Sequence, residues 1–224
     1  MKISTTAFVL KTSIFKESSL IVRLFTLEKG KATYIIKAAM RQKSPNKAIY
    51  QQLNEIKIDY SHYPKRQIHP VYNSKLLNDW TSICTDLKKT LLCTAMLEII
   101  DKTFDENIPD KKTYKVLSVA MCYFEQNDKN LNNAFYFFLL HFLRNSGYDI
   151  INAKDHPIVK RFQQKNSAIL SDLSNIFESD FIINNKNNLT TSYDRKIMSQ
   201  FIGELVRYHF PDLKSFSVAK DVFN

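Results

Sequence analysis

The sequence predicts an α+β protein, with a small N-terminal β-barrel over residues 1–79 followed by an all-helical domain over 80–224. Three observations carry this reading. Short segments rich in β-branched and aromatic residues follow one another up to about residue 77. From about residue 80 the apolar residues instead recur every three or four positions. Charge divides at the same place. Residues 1–77 hold 14 Lys/Arg against 4 Asp/Glu and residues 78–224 hold 18 of each, so the whole net charge of +10 sits in the first third. One basic segment joined to a neutral remainder points to a polyanion-binding module with a separate scaffold. A merely solvated basic surface is the alternative.

The strands come first. Thr6–Thr12 and Leu20–Thr26 are rich in Val, Ile, Leu and Phe. In the second, Leu20, Val22 and Leu24 share one fully apolar face, with Ile21, Arg23 and Phe25 on the other. Glu28-Lys29-Gly30-Lys31 reads as a turn, in which Gly30 can adopt positive φ. Ala32–Lys37 is the partner strand. Glu55–Tyr63 and Ile68–Leu77 complete the set, punctuated by Pro64 and Pro70. Five short strands in about 75 residues fit a barrel of the oligonucleotide/oligosaccharide-binding (OB) type. Periodicity does not separate this from an SH3-like barrel.

The helices follow. Ile83, Leu87, Leu91, Ala95 and Ile99 recur every four residues, and Tyr114, Leu117, Met121 and Phe124 mark one face of the next helix. Leu131–Ser146 is apolar nearly all round, so it should be a central buried helix ended by Gly147. Leu170, Leu173 and Phe177 suggest a further helix. Ile197, Phe201, Leu205 and Tyr208 mark another, capped by Thr191 or Ser192. The asparagine-rich Ile182–Ser192 reads as a surface loop.

Several function classes lose their support. The three glycines, Gly30, Gly147 and Gly203, are far apart, whereas a phosphate-cradling loop needs them clustered. Cys84, Cys93 and Cys122 lie on apolar helical patterns and read as reduced core residues. The five histidines, His62, His69, His141, His156 and His209, form no metal-ligand spacing, and His141 reads as a core histidine. No nucleophile or metalloprotease motif occurs. Acid pairs such as Asp105-Glu106 and Asp172/Glu178 read as solvated charge. The apolar run Phe135–Leu143 is too short to span a bilayer, and no secretory h-region opens the chain. The expectation is a cytoplasmic protein that is not an enzyme and needs no cofactor or metal.

The basic module carries the candidate site. Lys37, Arg41, Lys43 and Lys47 form a ladder after the third strand, Lys29 and Lys31 flank the hairpin turn, and Lys11 and Arg23 lie on neighbouring strands. In an OB barrel these positions overlook the nucleic-acid groove, where cations track phosphates. Tyr34 and Tyr50 are candidates for stacking on bases, with barrel core as their alternative role.

The same residues resemble a known family, RecO, the bacterial recombination mediators. The likeness runs through Ala7-Phe8-Val9-Leu10, then Phe15 with Glu17-Ser18, Leu24-Phe25-Thr26 and the turn glycine Gly30. It continues through Lys37-Ala38-Ala39-Met40-Arg41, Lys43-Ser44 and Gln51-Gln52-Leu53. It resumes at the helix ending in Gly147-Tyr148, and again in Tyr208-His209-Phe210, Leu213-Lys214-Ser215-Phe216 and Val222-Phe223. Two departures stand out. Ala38 replaces the usual glycine. The four-cysteine zinc finger that many members carry after Gly-Tyr is absent, since no cysteine follows Cys122.

The resemblance implies an OB domain, a helical domain, and binding to single- and double-stranded DNA. It further implies strand annealing, docking of the acidic, apolar C-terminal tail of the single-stranded DNA-binding protein (SSB), and loading of RecA together with RecR, near the nucleoid. For the SSB tail the helical domain offers Phe135, Phe138 and Phe142 as an apolar floor, with Lys112, Lys115 and Arg144 as rim cations. Two other readings stand beside this one. An RNA-binding OB protein of translation or ribosome assembly would carry the same charge and fold. An enzyme assembled from scattered residues is the third.

Overall fold

The computed structural model describes residues 2–41, 44–153, 155–165, 171, 174, 192–211 and 213. The chain divides into two compact units. One contains Met1–Thr81 together with Leu97–Tyr114, and the other contains Ser82–Met96 and Lys115–Asn224.

The first unit is built on five strands: β1 (Lys2–Phe15), β2 (Ser19–Thr26), β3 (Gly30–Ile36), β4 (Glu55–Ser61) and β5 (Ile68–Asn78), with the short helix α1 (Asn46–Ile49) between β3 and β4. They close in the order β1-β2-β3-β5-β4, a Greek-key barrel of OB type. All pairs are antiparallel except β3 with β5. β1 is twice as long as its apolar segment suggests because its two halves serve different partners. Lys2–Phe8 pairs with β4 and Ala7–Phe15 with β2. The polar Ser4 and Thr6 therefore belong to the ladder, which recruits backbone whatever the side chain.

Alternation puts Ala7, Val9, Leu20, Val22, Leu24, Ala32, Tyr34, Ile36, Ile56, Ile58 and Tyr60 in the barrel core. Closure leaves no free sheet edge. Tyr34 and Tyr60 meet edge to face at 5.0 Å. Outside the barrel wall, Phe8 packs against Trp80 and Tyr114, and Phe25 against Phe104 and Tyr114.

Further helices follow among the described residues: α2 (Thr81–Thr85), α3 (Leu87–Thr103), α4 (Lys111–Gln126), α5 (Leu131–Asn145) and α6 (Pro157–Lys165), with α7 (Ser192–His209) later in the chain. The every-fourth stripe from Ile83 to Ile99 is not one helix. Asp86 interrupts it and accepts the Lys89 N–H at 2.8 Å as a cap, leaving Leu87 exposed.

Helix α5 is buried nearly all round, as its composition requires, and is followed by Gly147 at φ +92°. Within the same unit Phe162 meets Phe201 at 5.3 Å, and the Tyr136 hydroxyl lies 2.8 Å from Ser199 Oγ. Lys89 is buried, its Nζ 2.7 Å from both Ser82 Oγ and Asp128 Oδ1. Only Cys93 is a core thiol. Cys84 and Cys122 are exposed, because each sits on the polar side of its helix. Leu170, Leu173, Phe177, the 182–191 loop and Thr191 lie outside the described residues.

Candidate nucleic-acid interface

The strand register decides which side chains share the outer barrel surface. With Leu20, Val22, Tyr34 and Ile36 turned inward, two outward rows cross β1, β2, β3 and β5. One is Ser13, Ile21, Ile35 and Pro70, and the next is Lys11, Arg23, Thr33 and Ile68. Phe15, opposite Ser19, extends the strip at the end of β1. Phe15 and Ile68 are exposed, whereas Ile21, Ile35 and Pro70 are half-buried.

Cations rim one end of this strip. The segment after β3 is tied to the β1–β2 turn by the Met40 N–H donating to the Ser18 carbonyl at 3.0 Å, and Ala39 is buried in the barrel core. Lys37, Arg41 and Lys47 are exposed, as is Lys16 in the adjoining turn. Lys43 lies outside the described residues. Ala38, at the position of the family's glycine, adopts φ +55°. The loop thus keeps a glycine-type backbone with an alanine in it, at a cost of about 1–2 kcal/mol.

Two predicted DNA-contacting cations are committed elsewhere. Arg23 Nη1 lies 2.8 and 2.9 Å from the Asp101 carboxylate oxygens. Lys31 is buried, and its Nζ donates to the Asp101 carbonyl at 2.7 Å. Thr33 Oγ1 donates to Glu106 at 3.0 Å, and the Asn107 N–H donates to the Lys31 carbonyl at 2.7 Å. The segment 101–114 therefore covers the end of the β2–β3 face that bears Phe25 and Lys31. Glu106 is exposed, as its reading as solvated charge expects, and also accepts the Thr33 hydroxyl.

Lys29 is half-buried in the turn, while Lys11 is exposed. Tyr34 cannot stack on a base from the barrel centre, where burial pushes its phenol well above the usual range. Tyr50 is buried too, its hydroxyl 2.8 Å from Ser74 Oγ and its pKa pushed up to about 12 by burial.

Sequence reasoning passed over the β4–β5 loop, where Tyr63, Lys65 and Arg66 are exposed and the Arg66 guanidinium lies 4.7 Å from the Tyr63 ring centre. The signal was there, since two adjacent cations beside Tyr63-Pro64 fall in a loop that OB folds use for ligands.

In the helical unit, Phe135, Phe138 and Phe142 are buried core and do not form an open floor for a peptide. A helix apolar on all sides packs all its sides. Lys112 and Lys115 are exposed on α4, and Arg144 is exposed with its Nε 3.8 Å from Asp149 Oδ2. Among the described residues no three His, Cys, Asp or Glu are placed to hold a metal ion. No described helix is long and apolar enough to cross a membrane.

The comparisons agree with this architecture. The profile described as "Recombination protein O N terminal" matches residues 1–79, and "Recombination protein O C terminal" matches residues 84–155. The DNA repair protein RecO of Flavobacterium psychrophilum is 26% identical over the full length of both chains, and that of Flavobacterium johnsoniae 23% identical over the same span. The RecO of Syntrophus aciditrophicus is 24% identical over 64% of this chain and 55% of its own. An OB-type barrel matched by the first profile, followed by helices matched by the second, places this chain in the RecO family of DNA repair and recombination proteins.

Proposed function

We propose that the chain is a recombination mediator, a DNA-binding adaptor without a catalytic centre, organised as an OB module over 1–79 and a helical domain over 80–224. The observation that carries this reading is the apolar strip Phe15, Ile21, Ile35, Ile68 beside Lys11, Lys16, Lys37 and Arg41. Bases need a flat apolar surface, phosphates need cations a few ångströms to the side, and neither needs a catalytic group. Lys47 extends the cationic rim, while Lys29 offers a cation from the β2–β3 turn at the opposite end of these strands. Single strands lie along the strip. Double strands engage the same cations through their backbones.

The wider role follows the family. The chain anneals complementary strands, docks the SSB tail through its helical domain and acts with RecR to load RecA, in the cytoplasm at the nucleoid. Lys115 and Arg144, both in the second unit, supply cations for the tail carboxylates.

The test is annealing of SSB-coated complementary strands by the purified protein, alongside binding to DNA and RNA strands of one sequence. Annealing with a salt slope of about −3 to −4, from four to six neutralised phosphates, supports the reading. Tighter binding to RNA with no annealing overturns it in favour of an RNA-binding role.

A further inference from the structure

A second cationic face lies on the barrel, away from the strip just described. Its rows are set by register across β1, β4 and β5: Ser4, Asp59 and Asn73, then Thr6, Lys57 and Lys75. Lys2, opposite Ser61, begins the face, and its Nζ stands 5.4 Å from the centre of the exposed Tyr72 ring. The β4–β5 loop adjoins it with Lys65 and with Arg66 stacked on Tyr63.

Lys57 and Lys75 are directly paired across the strands and both exposed. Like charges directly opposite in a sheet destabilise it, so this pair opposes folding. Asp59, the acid within these rows, lies one row along. It is engaged by Asn73 Nδ2 at 2.8 Å, and this hydrogen bond and one from Ser4 hold its carboxyl below the usual range. Five cations, Lys2, Lys57, Lys65, Arg66 and Lys75, thus share a polar sheet face and its bordering loop with two exposed tyrosine rings. That is the chemistry of a phosphate track with stacking platforms.

We infer that the β1–β4–β5 face binds a second single nucleic-acid strand while the β2–β3 strip holds the first. The inference rests on the proposed DNA-binding function and extends it. Annealing needs two polyanions held close against their own repulsion, and a barrel with cations on two faces lowers that repulsion for both. The anion also relieves the Lys57–Lys75 repulsion, so the cost of that pair in the free protein becomes a gain on binding.

The experiment uses the full chain and two non-complementary single strands of about eight nucleotides, short enough that one strand cannot reach around the barrel. One carries a donor dye and the other an acceptor. The expected result is saturation at two strands per chain with energy transfer between them. In the Lys2→Glu, Lys57→Glu variant the first strand should bind within about twofold of wild type. The second should weaken about tenfold or more, with annealing falling in step and the salt slope of the second event shallower by about 0.7 per cation removed. Lys57→Glu sets opposite charges against each other, so the melting temperature should hold or rise and misfolding is separated from lost binding. Conversely, Lys37→Glu, Arg41→Glu should weaken the first event and spare the second.

Saturation of wild type at one strand per chain overturns the second face and leaves the proposed function standing. So does an unchanged second event in the Lys2→Glu, Lys57→Glu variant, or occupation of this face by an acidic peptide but not by a strand. Absence of any strand binding overturns both.

Discussion

Replacing Gly30 by Ala should cost much more than replacing Gly147 by Ala, although both glycines have positive φ. Gly30 is at φ +66° and Gly147 at φ +92°, so each alanine meets backbone strain of about 1 kcal/mol. The surroundings differ. A Cβ on Gly147 meets nothing within 4 Å, whereas a Cβ on Gly30 would lie 1.9 Å from the Ile108 carbonyl oxygen. Ordinary contact requires that backbone to retreat by roughly 1.5 Å. Retreat breaks the 2.7 Å hydrogen bond from the Asn107 N–H to the Lys31 carbonyl, worth about 1 kcal/mol net. It also loosens the Phe25–Phe104 contact, for about another 1 kcal/mol.

The sum is about 3 kcal/mol for Gly30→Ala against about 1 for Gly147→Ala. For a chain of this size that is a fall in melting temperature of roughly 6–12 °C against 2–4 °C. Thermal unfolding followed by circular dichroism reads both, each on the transition of its own unit if the units melt separately. Equal losses would refute the claim that segment 101–114 is packed tightly on the β2–β3 turn.

Other outcomes follow from the same geometry. Ala38→Gly should raise stability by about 0.5–1 kcal/mol in chemical denaturation, because it removes left-handed strain at φ +55° and returns only part of it as unfolded-state entropy. Lys37→Glu, Arg41→Glu should weaken single-strand binding by about tenfold or more with an unchanged melting temperature, while Arg23→Gln should do the reverse, losing about 1 kcal/mol of stability with its Asp101 partner and little affinity. Burial holds the His69, His156 and His209 imidazoles below their ordinary 6.5. The unfolded chain then binds more protons just below that pH, so stability should be level above it and fall as the pH drops through it, and His156→Gln, His209→Gln should flatten the fall in denaturant titrations at successive pH values.

Much of the fold was legible because local rules and tertiary structure agree. The alternation of Leu20, Val22 and Leu24 against Ile21 and Arg23 placed β2 correctly down to which side faces the core. The all-round apolarity of 131–145 announced a buried helix. Sequence reasoning failed where a side chain's fate depends on residues distant in the chain. Arg23 and Lys31 look like their neighbours Lys37 and Arg41, and only Asp101, some 70 positions on, distinguishes them. The three phenylalanines of α5 were offered as a pocket floor although a helix so apolar favours packing, and in the structure all three are core.

What the sequence determined by itself is therefore the content of each element: period, turns, the confinement of charge to residues 1–77, and the family motifs. These depend on near neighbours, within a few residues, where backbone geometry is nearly fixed. Which cations meet solvent was decided only by tertiary structure. The register of β4 against β5 set Lys57 against Lys75, and docking of 101–114 buried Lys31 while leaving Lys11 exposed. The physical reason is that charge is a property of the residue, but its availability is a property of what packs over it, and in this chain the covering segment begins two dozen residues after the barrel's last strand ends.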